Sequence, residues 1–168
     1  MRVAVTGTPG TGKTTATGLL ETELDVIDLN DLVHEERLTT GTDEDRNSAV
    51  VDIDAVADRL SGREDVVIES HLAHHFEVDR VVVLRCHPEE LERRLLERGE
   101  SDRKANENAE AEALDVILSE AVDRHGLDSV YGIETTDRDP DAVAGEIGSV
   151  LRGEREAAAG TVDFTEYL

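Results

Sequence analysis

Apolar runs that alternate with helix-forming stretches predict an α/β domain of three layers, with parallel strands sandwiched between helices. Three observations carry that expectation. Val-rich or Ile-containing runs recur at 2–6, 25–28, 65–70, 80–86 and, more weakly, 129–134. Stretches with helical apolar spacing, bounded by Gly or Pro, lie between them. A chain of 168 residues suits one core and is short for two.

The elements follow in order. RVAVT (2–6) reads as the first strand and residues 13–24 as the helix after it; DVID (25–28) is the second strand. Residues 38–51, LTTGTDEDRNSAVV, are polar and turn-rich and are expected to form a loop. DVVIES (65–70) and RVVVLRC (80–86) are the most apolar strands. The helix at 88–98 has Pro88 in its first turn, Leu91, Leu95 and Leu96 on one face, and Gly99 as its stop. A charged insertion at 99–107 should separate it from a long helix over about 106–125, with Ala113, Val116, Ile117 and Leu118 facing the core. SVYGIE (129–134) is the last strand, and a helix over 140–152 opens at Pro140. The tail, 153–168, is expected to dock weakly or fray. The domain is therefore placed at 1–152.

Composition narrows the function. With 38% apolar and only 2% aromatic residues, the core has to be built from Val, Leu, Ile and Ala. Forty acidic against 17 basic residues give a net charge of −23, which argues against a broad basic face for nucleic acid and hence against direct DNA binding. Such a surface is read as halophilic, because at low ionic strength unscreened carboxylates repel one another, whereas molar salt shortens the Debye length to about 3 Å. Desalting is expected to abolish the far-ultraviolet circular dichroism of the fold; an unchanged spectrum and unchanged activity at low salt would contradict this reading. The one cysteine, Cys86, fits a reducing interior and should be a small buried hydrophobe. The N-terminal apolar run is too short for a signal peptide, and no segment approaches the ~18 apolar residues of a membrane helix, so a cytoplasmic protein is expected.

Residues 7–14, GTPGTGKT, match the phosphate-binding pattern G-x-x-x-x-G-K-[ST] without a mismatch, directly after a strand and at the start of a helix. Gly7, Gly10 and Gly12 allow the backbone to curl so that successive N–H groups point at a phosphate, and the helix N-terminus adds partial positive charge. Lys13 is placed to reach the β- and γ-phosphates, Thr14 to ligate Mg²⁺, and Thr15 to lie near the α-phosphate. A second carboxylate for the hydrated magnesium is expected at the end of a neighbouring strand, where Glu69 stands.

Three histidines follow Glu69 closely: His71, His74 and His75. Zinc would need three or four converging ligands, with a carboxylate or thiolate usually among them. The sequence favours a different reading, with His71 at the carboxyl edge of the sheet beside the phosphates and His74 and His75 as surface or loop-packing residues.

A GTPase would carry an N/T-K-x-D motif, which is absent, and a motor ATPase would be larger. Two inserted segments, near 28–51 and 98–108, point instead to a nucleotide kinase; the second carries Arg98, Arg103 and Lys104, the cations a closing lid would deliver.

GTPGTGKTT at 7–15, DLVHEE at 31–36, the ESH of 69–71 and the run RRLLERG at 93–99 with Lys104 and Glu107-Asn108 resemble the sixth-isoenzyme, nuclear-type adenylate kinase family, over residues 1 to about 150. The resemblance implies a five-stranded parallel sheet, a nucleoside-monophosphate-binding segment near 28–51, a short lid near 98–108, Mg²⁺-ATP as donor and AMP as acceptor. By position it implies that Gly10, Gly12, Lys13, Thr14 and Thr15 hold ATP, that Arg98 meets it from the lid, and that Arg138 lies in the adenine-binding loop after the last strand. Three positions depart from the family's pattern. Glu69 stands for its usual aspartate, His34 for an arginine, which leaves Arg37 or Arg46 as the cation for the AMP phosphate, and Glu100 for an aromatic residue. Transfer to AMP is expected with some ATPase side activity; eukaryotic members also act as ATPases in small ribosomal subunit assembly, so the alternative is an ATPase with a small-subunit ribosomal protein as partner.

Overall fold

The computed structural model describes residues 1–43, 48–160 and 162–168. Five parallel strands form the central sheet: β1 (Arg2–Thr6), β2 (Asp25–Asp28), β5 (Val66–Glu69), β6 (Arg80–Arg85) and β7 (Val130–Glu134), in the order β2-β5-β1-β6-β7. The side-chain alternation of a strand explains why these segments read as unbroken apolar runs. Ala4, Ile68, Val81 and Val83 enter one core, which is completed by Leu29, Val56, Leu60, Leu118 and Ala121. Val3, Val5, Val67, Val82 and Leu84 enter the other, against Ala16, Val143, Ile147 and Val150. All five strands fall where the sequence placed them, and helices α1 (Lys13–Gly18) and α7 (Pro140–Leu151) pack together on one face.

Order 2-5-1-6-7 makes the central β1 the strand on either side of which the chain switches direction. Open parallel sheets bind ligands at that point, beyond the carboxyl ends of the strands. The turn after β1 is the glycine-rich one, and Glu69 ends its neighbour β5, paired in register with Val5.

The structure departs from the sequence-based expectation in five places. First, α1 stops at Gly18 rather than near residue 24: the N–H groups of Leu19 and Leu20 bond back three residues, to Ala16 and Thr17, tightening the last turn. Leu20 and Leu24, whose spacing suggested a longer helix, pack against the core from the connection instead.

Second, the polar segment after β2 is structured. Asp28 caps α2 (Leu29–Glu36) by accepting from the N–H groups of Asn30 and Asp31, and a two-stranded antiparallel hairpin, β3 (Thr39–Asp43) and β4 (Ser48–Val51), follows. A further helix, α3 (Ile53–Leu60), opens on Asp52, which accepts from the Ala55 N–H, and buries Val56 and Leu60.

Third, the charged stretch 99–107 is mostly helical. After α4 (Pro88–Glu97), Ser101 accepts from the Lys104 N–H and starts α5 (Asp102–Ala113). Fourth, the long helix expected over 106–125 is two, because Asp115 adopts a left-handed conformation (φ 55°) between α5 and α6 (Val116–His125). Its carboxylate pairs with the guanidinium of Arg85, a buried arginine at the end of β6.

Fifth, of the two courses expected for the tail, weak docking or fraying, it docks, and through specific contacts rather than loosely. The Gly132 N–H donates to the Ala158 carbonyl (2.9 Å), and a Cβ at Gly132 would sit 3.1 Å from the Ala159 oxygen, so any side chain there would push the tail back by a few tenths of an ångström. Phe164 is buried over the Arg85 guanidinium (5.4 Å), and the Tyr167 hydroxyl donates to Glu92 on α4 (2.6 Å). Cys86 is fully buried beside Leu91, Leu95 and Ala105, and burial pushes its thiol up to about 11, which makes it unreactive. No helix among the described residues is long and apolar enough to cross a membrane.

Candidate active site

The glycine-rich turn leaves β1 with Gly7 at φ 148°, where a Cβ would lie 2.7 Å from the Leu84 carbonyl and 2.8 Å from the Thr11 hydroxyl. At Gly10 (φ 94°) a Cβ would meet Leu91 and Leu95 of α4 at 3.0–3.1 Å. Both positions need glycine, one for close approach of the next strand and one for close approach of α4. Gly12 is the N-cap of α1, so the free N–H groups of that helix open onto the turn.

Lys13, the first residue of α1, is buried, and its ammonium donates to the Gly7 carbonyl (2.9 Å) and the Thr8 carbonyl (3.2 Å). Burial lowers its pKa from 10.5 to about 8, with the Arg98 charge pushing the same way and Glu69 opposing; it remains a cation at neutral pH. The Thr14 hydroxyl donates to Glu69 Oε1 (3.2 Å). Glu69 is itself buried, and burial together with the nearby Asp28 charge raises its carboxyl above the usual range. A hydroxyl and a carboxylate oxygen that meet beside a buried ammonium are the hard oxygen donors that magnesium prefers, so the residues present fit that ion.

His71 is half-buried, and burial followed by the Lys13 charge lowers its pKa to about 4, leaving a neutral imidazole. With Lys13, Thr14, Thr15, Glu69 and Arg98 it lines a cavity of about 170 Å³. An adjoining cleft of about 320 Å³ runs from Gly10, Gly12 and Thr15 to the loop between β7 and α7, where Arg138 and Val143 form its wall. Arg98, at the end of α4, borders both spaces, and Arg138 is held by Glu146 (2.9 Å). Gly10, Gly12, Lys13, Thr14, Thr15, Glu69, His71, Arg98 and Arg138 thus each border one or both of these spaces.

The other candidates fall elsewhere. Arg37 caps α2 in a left-handed conformation and borders neither space; Arg46 lies outside the described residues. Arg103 pairs with Glu107 (3.1 Å) on the surface of α5. His74 is not a surface residue. It is 1% exposed, bonded through Nδ1 to the Thr6 hydroxyl (2.9 Å) and through Nε2 to Glu120 (2.7 Å).

Sequence reading missed two residues. Arg94 lies one helical turn before Arg98 on the same face of α4, and its guanidinium donates to the Gly10 carbonyl (3.3 Å) and the Thr135 carbonyl (3.4 Å), tying the glycine turn to the far wall. The i, i+4 arginine pair was a readable signal. Glu112 on α5 had none, since its partners are distant in sequence. It is buried, and its carboxylate accepts from the Thr8 hydroxyl (2.9 Å), the Cys86 N–H (2.9 Å) and Arg85 Nε (3.1 Å). One side chain therefore fixes the glycine-rich turn against the end of β6 and the helix that follows Ser101.

Comparison with known proteins agrees with this geometry. A family model described as an AAA domain matches residues 3–115. A protein of Halobacterium salinarum named "Putative adenylate kinase" is 64% identical over 169 residues, spanning all of both chains, and one of the same name from Methanothermobacter thermautotrophicus is 42% identical over 99% of this chain and 98% of its own. The chain belongs to this archaeal family. Among solved structures, shikimate kinase from Bacteroides thetaiotaomicron matches with a TM-score of 0.56 at 19% identity, over 90% of this chain and 98% of its own, which shows a shared fold.

Removing the His71 imidazole is expected to slow turnover by about ten- to a hundredfold, as for a group that orients others rather than exchanging protons. His75→Ala should leave it within about twofold. Equal effects of the two changes in steady-state assays would remove His71 from the site.

Proposed function

We propose that this protein catalyses reversible, magnesium-dependent phosphoryl transfer from ATP to AMP, giving two ADP. The observation that carries the reading is the convergence of Lys13, Thr14, Glu69, His71 and Arg98 on one phosphate-sized cavity continuous with a nucleoside-sized cleft. Names borne by relatives at 64% identity over the whole chain support the same assignment.

The residues divide the work by position. The N–H groups of the glycine-rich turn and Lys13 stabilise the charge of the transferring group, which needs no covalent intermediate. Thr14 and Glu69 would hold Mg²⁺, which would supply neutralisation of the charge that develops on the phosphates. An AMP phosphate is already ionised, so no strong base is required, and the neutral His71 serves to orient the acceptor. Arg98 closes on the phosphates from the end of α4, and Arg94 holds the wall on which it stands. Thr135, Arg138 and Val143 face the base of ATP, while α2 with Asn30, and the hairpin behind it, form the acceptor side over about 28–51. The lid is the segment near 98–108, a turn that leads into α5. Glu112, near the far end of α5, ties that helix to Thr8 of the glycine-rich turn.

Within the family, the motifs at 31–36 and 69–71 favour the nuclear-type branch. A net charge of −23, together with relatives from halophilic archaea, supports a cytoplasm of high salt as the working environment. No observation favours the alternative with a ribosomal-protein partner. An acceptor panel tests the proposal: ADP formation from ATP should be fastest with AMP among nucleoside monophosphates. Equal rates with every monophosphate would refute AMP as the acceptor.

A further inference from the structure

We propose that His74, His75 and Glu120 form a binding site for one transition-metal ion of the Zn²⁺ class, separate from the phosphate site. The sequence displayed the histidines but not the carboxylate that would make them a metal site; Glu120 comes from α6 and supplies it. Ligand atoms of the three side chains lie within 4.8 Å of one another. Glu120 Oε2 is 2.7 Å from His74 Nε2 and 3.8 Å from His75 Nε2. Zinc sits ~2.0–2.2 Å from imidazole and carboxylate ligands in a tetrahedron, which separates them by roughly 3.3 Å, so shifts of an ångström or so in two partly exposed side chains complete the set.

The site has the support that metal ligands require. The Nδ1 of His74 is bonded to the Thr6 hydroxyl (2.9 Å), which fixes the ring and leaves Nε2 as the outward ligand. The backbone of the turn is pinned as well: the His74 carbonyl accepts from His125 Nε2 (2.8 Å) and the His75 carbonyl from Arg124 (3.3 Å). In the metal-free protein the carboxylate of Glu120 accepts from His74 Nε2, so binding an ion there displaces that proton. Access is open, because His75 and Glu120 line a groove of about 540 Å³ between the 71–75 turn and helices α5 and α6, from which water completes the coordination. The Arg124 charge opposes a cation here and sets the affinity below that of a four-ligand structural site. A plain His74–Glu120 hydrogen bond accounts for one contact only. It leaves unexplained why the second ring, with its centroid 4.4 Å from the first, turns its Nε2 toward the same oxygen.

A bound ion would fasten the turn that follows His71 to α6. Two histidines and a carboxylate suit Zn²⁺ or Co²⁺ and do not suit Mg²⁺, so the two metal sites of the molecule are chemically distinct. The proposal is independent of the phosphoryl acceptor.

The test uses the full chain, stripped with a chelator and held in molar KCl, titrated with Zn²⁺ against a chromophoric competitor and with Co²⁺ by its visible absorption. One ion per chain is expected, with the intense bands of low-coordinate Co²⁺. His75→Ala and Glu120→Gln, at partly exposed positions, should each weaken Zn²⁺ binding by at least about tenfold, while Glu69→Gln leaves it unchanged. Circular dichroism of each variant verifies that it is folded. Three results would overturn the proposal: no saturable binding, affinity unaltered by Glu120→Gln, or affinity lost in Glu69→Gln.

Discussion

Replacing Lys13 with alanine is expected to lower kcat by at least about a hundred- to a thousandfold, the cost of removing one preorganised donor from a site where charge develops. The effect should be larger than for any neighbouring residue, because Lys13 is a buried cation at the head of α1 and both its hydrogen bonds go to carbonyls of the glycine-rich turn. Those carbonyls lose an ammonium on substitution but are left beside an open cavity that water can enter, so the fold should survive. Circular dichroism and the urea midpoint in molar KCl should match the parent protein. Retained turnover would remove the glycine-rich turn from the mechanism, and loss of the folded state would show that Lys13 is a structural cation.

Glu112→Ala is expected to destabilise the fold by about 3 kcal/mol, because it removes the buried carboxylate from Arg85 and leaves Asp115, at a partly exposed position, as its remaining side-chain ion pair. Arg85 is 1% exposed and held from Glu112, from Asp115 and by the overlying Phe164 ring; loss of Glu112 removes the most buried of these contacts and leaves the Cys86 N–H without an acceptor. Glu112→Gln keeps an oxygen for the Thr8 hydroxyl or the Cys86 N–H and should cost less. Asp115→Asn, at a half-exposed position, should cost less still. Urea unfolding in molar KCl separates the three. A Glu112→Ala cost below about 1 kcal/mol would mean that water reaches Arg85 and that α5 does not fix the glycine-rich turn.

The legible parts of the sequence are those whose physics is local. The glycine-rich turn is readable because each residue has its own task within eight positions, and the strands are readable because burial on both faces leaves no polar alternation. Lys13, Glu69 and His71 follow from one further rule, that parallel strands deliver functional side chains at their carboxyl ends.

What escaped reading depends on partners far along the chain. Asp115, which interrupts a continuous helical pattern, pairs with Arg85, 30 residues earlier, and Glu112 meets Thr8, 104 residues earlier, as well as Arg85 and Cys86. The histidines looked like a surface cluster until Glu120 arrived from α6, 46 residues beyond His74. Caps explain the rest. Ser101 starts a helix in a stretch dominated by charge, where apolar spacing is thin and its side-chain hydrogen bond to the Lys104 N–H marks the start; Asp52 caps a short helix whose Ile53, Val56 and Leu60 were a readable signal. In the tail, Gly132 is a strand glycine whose reason, the passage of Ala158 and Ala159, lies outside the strand itself.

Phosphorus NMR of the chain with Mg²⁺, ATP and AMP in molar KCl tests the central claim most directly. Transfer to AMP predicts ADP as the main product, two formed for each AMP consumed, and only slow release of inorganic phosphate within the same time when AMP is left out. Inorganic phosphate released from ATP at a rate that AMP does not alter would contradict it.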